Sequence, residues 1–372
     1  MLLTLLLTLC ATLQEDVQWI DATELGLEGQ AWEDTALPYD RLPAKAEGVV
    51  RDRVWSLSRQ SSGLVLRFTT DSRNISARWK LGPGDLAMPH MPASAMSGLD
   101  LYVQVDGKWK WLAATKPNSL EPSAKLASNL PPGTRDYLLY LPLYKQVLSL
   151  EVGFDQTAAV RLHDGPFRAG STRPNRAQPI VFYGTSITHG ASASRPGMTH
   201  PALLGRRLDH SIVNLGFSGN GRMELALADL LAEIPARVYV LDCLPNMSPL
   251  MVAERAAPFV RRLRALRPDT PIVLVEDRIN ANAHLNQGRA THHAMNRRAL
   301  RSAYDELLEQ GYDRLHYIPG AWLLGDDTLG TIDGSHPTDL GFMRMADVFE
   351  PVLREALKPM QPDATPNEVL PS

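Results

Sequence analysis

At 372 residues the chain exceeds one ordinary domain of roughly 100–200 residues, so two domains are expected. Its 44% hydrophobic and 21% charged residues describe an ordinary globular protein, and a net charge of -3 excludes the basic field on which nucleic-acid binding depends. With only Cys10 and Cys243, neither a disulfide framework nor a cysteine metal cluster can be built, and stability must come from apolar cores.

The first thirteen residues, MLLTLLLTLCATL, form an apolar run that ends at Gln14-Glu15-Asp16. That length suits a signal-peptide core and falls short of the ~20 apolar residues of a membrane span. Residues 1–14 are therefore expected to be an export leader, making the protein secreted, periplasmic or surface-bound. No Lys or Arg precedes the run, so a buried N-terminal segment or a misplaced start stays open as the alternative. Leu9 stands where a lipoprotein cleavage box has a small residue before its cysteine, which argues against a lipid on Cys10.

From 17 to 165 the pattern favours strands. Gly63–Thr69, Ile75–Leu81, Leu101–Val105 and Val147–Val152 are β-rich, several with period-two alternation, and turn formers such as Asp106-Gly107 separate them. A β-sandwich of jelly-roll type is expected. Of the tryptophans in this half, Trp32, Trp55, Trp79, Trp109 and Trp111, most are expected to be buried in it, with a sugar-stacking platform as the other reading.

The polar stretch from Asp164 to Asn175 marks the boundary, and the period then changes. Across 176–358, the apolar runs Ile180–Tyr183, Ser211–Asn214, Val238–Leu241, Ile272–Val275 and Leu315–Ile318 read as buried parallel strands. Helical patterns near 200–209, 222–233, 249–267, 289–310 and 338–357 separate or follow them. Five β/α units imply a doubly wound sheet, whose functional loops lie beyond the carboxyl ends of the strands. Residues 359–372, rich in Pro, Asp and Asn, are expected to be disordered.

The first of these strands runs into Tyr183-Gly-Thr-Ser-Ile-Thr-His-Gly190. Two readings fit: a turn exposing the Ser186 hydroxyl, or a loop in which Ser and Thr cap a helix. After the last strand comes Asp333-Gly-Ser-His-Pro337. An Asp three residues before a His can hold Nδ1–H while Nε2 faces a nucleophile, and a serine hydroxyl, weak by itself, needs such a base. The second strand leads to Gly219 and the third to Asn246, two further donors at the same edge. With the Ser186 N–H they would make three for a tetrahedral oxyanion.

Ser186, Gly219, Asn246 and His336, in this order on a β/α sheet, resemble the four residue blocks of the SGNH (GDSL-like) hydrolases. The resemblance implies a flavodoxin-like five-stranded sheet and esterase, acetylesterase, thioesterase or lipase activity without a cofactor. It makes Ser186 the nucleophile, His336 the base, Asp333 its partner, and Gly219 and Asn246 the rest of the oxyanion hole. Thr185 stands where the family has Asp, and Leu-Pro-Asn-Met replaces its Gly-x-Asn-Asp. Gly98-Leu-Asp-Leu-Tyr102 resembles the Gly-x-Asp-Leu-Tyr signature of a sandwich module that precedes such domains. Similar two-domain proteins act on acetylated carbohydrates, so a glycan or other small ester is the expected substrate. A lipid esterase, or a glycan-binding protein with a degenerate hydrolase domain, are the alternatives.

His189 and Arg195, in and after the serine block, are expected to line the substrate pocket. Glu276-Asp-Arg278 lies at the same edge and reads first as salt-bridged loop charges. His292 and His293 point in different directions on a helix and make a poor metal site, so no metal is expected.

Overall fold

The computed structural model describes residues 17–162 and 178–359. The apolar leader, the boundary stretch and residues 360–372 of the Pro/Asp/Asn-rich tail lie outside the described residues.

The N-terminal strands are β1 (Val17–Asp21), β2 (Leu27–Glu28), β3 (Val65–Thr70), β4 (Ile75–Leu81), β5 (Asp100–Val105), β6 (Lys108–Ala114), β7 (Ser123–Ala127), β8 (Arg135–Tyr140), β9 (Val147–Asp155) and β10 (Val160–Leu162). They form two antiparallel sheets, β1-β9-β4-β7 and β10-β3-β8-β5-β6, with β2 beside β3. Period-two patterning sets the faces. In β4 the side chains of Ile75, Ala77, Trp79 and Leu81 are buried, while Arg78 and Lys80 face water. They meet Leu66, Phe68, Leu101, Leu139, Leu150 and Phe154 in the sandwich core. Asp106 and Gly107, both at positive φ, close the two-residue turn between β5 and β6, as a right-twisted hairpin requires.

The C-terminal strands β11 (Ile180–Gly184), β12 (Ile212–Gly216), β13 (Val238–Asp242), β14 (Ile272–Val275) and β15 (Leu315–Ile318) form one parallel sheet in the order β12-β11-β13-β14-β15. This is the flavodoxin-like order, and its direction reverses between β11 and β13, where a crevice opens at the carboxyl edge. Helices cover both faces, so the strands read as predominantly apolar runs, broken only by Asn214 in β12, His316 in β15 and Asp242 at the end of β13.

The chain between β2 and β3 leaves the sandwich. Trp32, Leu42, Val50 and, from helix α1 (Asp52–Ser58), Val54 and Leu57 pack with Leu215, Phe217 and Leu227 in the α/β core. Trp32 thus belongs to the second layer system, because its indole N–H reaches Glu233 at 2.9 Å. Arg41 fastens this segment. Fully buried, it donates to the carbonyls of Gln60 (2.7 Å), Leu57 (2.8 Å), Asn214 (3.0 Å) and Gly216 (2.8 Å), which satisfies a charge without a carboxylate on it. Burial pulls its pKa down to about 9.

A second node uses the Gly98–Tyr102 signature. The buried Asp100 carboxylate accepts from Arg195 Nη1 (3.0 Å), the Gly197 N–H (2.8 Å) and Trp111 Nε1 (3.0 Å). The Arg195 guanidinium lies over the Tyr102 and Trp111 rings at 5.4 and 5.3 Å. A Cβ on Gly197 would stand 2.5 Å from Tyr102 and 2.8 Å from the Asp100 carboxylate. Gly197→Ala is therefore expected to cost about 1–3 kcal/mol in denaturant unfolding through overpacking of this junction. An unchanged midpoint and slope would show that the junction yields without cost.

Candidate active site

The serine turn is built by close packing. β11 ends at Gly184, where a Cβ would stand 2.1 Å from Thr188 Oγ1, so only glycine lets the chain fold back this tightly. Thr185 caps the short helix α2 (Ser186–His189), its Oγ1 accepting from the Ile187 N–H at 3.3 Å. Thr188 donates to Asp242 at the end of β13 (2.8 Å), and Gly190, at φ 110°, terminates the turn. Both sequence readings of this block therefore hold in different residues: Thr185 is the cap, which frees the Ser186 hydroxyl. As the first helical residue, Ser186 also has a backbone N–H without an intrahelical acceptor.

The Ser186 Oγ lies 2.9 Å from His336 Nε2, and His336 Nδ1 lies 2.7 Å from Asp333 Oδ2. Asp333 Oδ1 accepts the backbone N–H groups of Ser335 (2.9 Å) and His336 (2.7 Å). Burial opposes ionisation of Asp333, but the bonds from the His336 ring and these two N–H groups prevail and hold its pKa at about 2. An ionised Asp333 fixes the proton on Nδ1, so Nε2 is left to accept from the serine.

Gly219 occupies the Phe217–Asn220 turn at φ 69°, facing open space where a Cβ would stand. The turn is closed by Asn220 N–H to the Phe217 carbonyl (2.8 Å). The Asn246 amide, on the single turn Leu244–Asn246, donates to the Asn220 carbonyl and so joins the third strand's loop to the second's. Tyr144 of the N-terminal half donates to the Ser186 carbonyl at 3.3 Å. Ser186, Asp333, His336, Gly219 and Asn246 thus gather at one sheet edge.

His189 and Arg195 do not join them. The His189 ring is fully buried, stacked on Tyr144 at 4.0 Å, and its Nε2 donates to the Leu143 carbonyl at 2.8 Å. Burial drives its pKa well down, so it stays neutral. Arg195 is engaged by Asp100 and Tyr102. Both residues anchor the sandwich to the second domain.

Two contributors escape a reading of the sequence. Arg278 is buried, paired with Asp277 and bonded to Ser335 Oγ, and Asp277 in turn accepts His293 Nδ1 at 2.6 Å. This chain of groups props the Asp333–His336 loop from β14. Its only sequence signal was a cluster of charges at a strand end. The second is His90 of the N-terminal half, whose ring centroid lies 6.0 Å from that of His336. Among the described residues, no group of three or more His, Cys, Asp or Glu is placed to hold a metal.

A serine, a correctly oriented imidazole and a carboxylate at the switch point of a flavodoxin-like sheet define a hydrolase of the acyl-transfer kind. Residues 177–354 match the GDSL-like lipase/acylhydrolase family, and residues 17–160 match the N-terminal module of SGNH-hydrolase-type esterases. A GDSL-like lipase from Bacteroides ovatus ATCC 8483 is 36% identical over 92% of this chain and 98% of its own, with a TM-score of 0.85. The salicylyl-acyltransferase SsfX3 of a tetracycline biosynthetic pathway shares the fold at 22% identity, covering 91% of this chain and 97% of its own, with a TM-score of 0.71. A family two carbohydrate esterase from Cellvibrio japonicus does so at 15% identity, covering 92% and 98%, with a TM-score of 0.56. A search of curated proteins found no match. The chain belongs to the SGNH (GDSL-like) hydrolases. It is a two-domain carboxylic ester hydrolase of that type.

One carboxylate beneath the site costs stability. Asp242 is buried, and burial pushes its pKa up from 3.8 to about 6, despite the Thr188 hydrogen bond. The nearby His200, 3.8 Å away, is itself pulled down to about 3 by burial and offers no cation. The native state binds this proton more tightly than the unfolded chain, so stability from this group falls as pH rises from about 4 to 6 and stays low above. Asp242→Asn keeps an acceptor for Thr188 and removes the ionisation. Its unfolding free energy relative to the parent is expected to rise by on the order of 3 kcal/mol between about pH 4 and pH 8. A difference independent of pH in denaturant titrations would contradict the assignment.

Proposed function

We propose that the chain removes O-acetyl groups from carbohydrates through Ser186, His336 and Asp333. The observation that carries the catalytic part is the continuous relay from the Ser186 hydroxyl through His336 to the ionised Asp333. In the first step His336 Nε2 takes the hydroxyl proton while Ser186 Oγ attacks the acyl carbonyl. The oxyanion is received by the N–H groups of Ser186 and Gly219 and by the Asn246 amide. The imidazolium, held by Asp333, returns the proton to the leaving alcohol, and an acetyl-enzyme remains. A water activated by the same imidazole then releases acetate and restores the hydroxyl.

The carbohydrate part has separate support. The Cellvibrio enzyme and the acetyl xylan esterase Est2A of Butyrivibrio proteoclasticus share this two-domain fold, at 15% and 10% identity. Export through the apolar N-terminal segment belongs to the same reading and suits a polymeric substrate.

With p-nitrophenyl acetate and acetylated oligosaccharides as substrates, Ser186→Ala is expected to lower kcat by at least about 10³-fold and Asp333→Asn by about 10²–10⁴-fold. Retained turnover in a folded Ser186→Ala protein would remove Ser186 from the mechanism. Preference for long-chain p-nitrophenyl esters over acetate would favour a lipid substrate instead.

A further inference from the structure

The N-terminal module approaches the catalytic histidine through the turn Met88–Met91. Paired backbone bonds between Met88 and Met91 (2.9 and 3.0 Å) close it and leave Pro89 and His90 at its tip. Met91 is buried with Ile187, Leu323 and Leu324 of the second domain, which fixes the tip in place. Just beyond it, the Ala95 and Met96 carbonyls accept from Leu143 and Tyr144 N–H at 3.1 Å. His90 is therefore presented on a rigid support, half exposed, over His336.

Its position relative to the chemistry is informative. His336 Nε2 faces Ser186 and must hand its proton to the departing alcohol, so a group 6.0 Å from the His336 ring stands beside the path of that alcohol. Beside the Met88–Met91 turn, with Met88 and Pro89 in its wall, a groove of about 480 Å³ runs along the module. Its polar side chains include those of Ser56, Arg59, Gln60, Asp85, Lys145 and Gln146. Two further wall residues are Pro89, next to His90, and Tyr144, which bonds the Ser186 carbonyl. Hydroxyl, amide and charged groups of both hydrogen-bonding senses match a polyhydroxylated occupant and would leave polar groups unpaired against a fatty chain.

We propose that His90 and this groove form the subsite for the alcohol part of the ester, with His90 hydrogen-bonding a hydroxyl of a sugar as it leaves. The inference rests on the ester-hydrolase reading above and gives the sandwich a direct part in specificity. It places His90 as a specificity-determining residue that meets substrate without taking part in the relay.

The test compares kcat/KM for an acetylated oligosaccharide with kcat/KM for p-nitrophenyl acetate, whose leaving group has no sugar hydroxyls. His90→Ala is expected to lower the ratio about tenfold, mainly through KM, and His90→Gln to recover part of it. Ser56→Trp, a substitution at an exposed position of α1 that fills the groove, is expected to lower the same ratio without touching the Met88–Met91 turn. A ratio unchanged in both His90→Ala and Ser56→Trp overturns the proposal. If the parent hydrolyses p-nitrophenyl acetate in a Ser186-dependent way but turns over no acetylated oligosaccharide, the sugar subsite falls while ester hydrolysis stands. If p-nitrophenyl acetate hydrolysis is also independent of Ser186, the underlying reading is what fails.

Discussion

The molecule depends on one buried carboxylate, that of Asp100, which accepts from Arg195 and Gly197 across the junction of the two domains and from Trp111 on its own sheet. Desolvation pushes its pKa up, and the guanidinium and N–H donors of the facing loop offset part of that cost. Such a charge tolerates only the docking register that supplies all of its partners. The loop it selects is the one that follows the serine turn, and Ser194 of that loop is bonded both to Ser94 of the sandwich and to Asp339 at the head of the last helix (Asp339–Ala356). Sandwich, serine block and histidine loop are therefore set by one network. Arg41 performs the same service on the other flank, tying the chain before α1 to the carbonyls of β12.

This architecture explains what could be read from the sequence. The parallel strands were legible because each is a short apolar run buried on both faces between helical patterns. The serine and histidine blocks were legible because each follows a terminal strand of the series, and Asp333 needs only a local turn to reach His336. β4 was legible to the residue from its alternation. Harder were β6, an edge strand whose Lys108, Lys110 and Trp111 are exposed and leave no one-sided apolar pattern, and the chain between β2 and β3. The apolar residues of that segment follow no period, because they fill gaps against a surface contributed by distant sequence.

The same reasoning separates the site residues found from those missed. His189 and Arg195 were candidates by proximity in sequence to Ser186, yet the turn that exposes the hydroxyl sends the His189 ring inward toward Tyr144. One helical turn cannot present both side chains to the same pocket when its inner face is needed for packing. His90 and Arg278 lie far from the serine and histidine blocks in sequence. They arrive through tertiary contacts, one from the sandwich and one from the end of β14, and the only local signal, for Arg278, was a charge cluster that said nothing of the histidine loop.

The relay itself runs from a dry end to a wet one. Ser186 is 7% exposed, whereas the side chains of His336 and Asp333 are 27% and 46% exposed. A carboxylate this open gains little from Coulomb attraction to a transient imidazolium, since water screens the pair. Its orienting power has to come from geometry, supplied by two backbone N–H groups and the ring nitrogen in a loop of four residues. A loop this exposed would drift without outside support. That support is the Ala281 N–H to the Gly334 carbonyl (2.9 Å) and the Arg278 guanidinium on Ser335, itself fixed by the buried Asp277. The electrostatic investment of the site thus lies one layer behind the relay, in dry surroundings where an ion pair keeps its strength, and the imidazole is aimed by mechanical support.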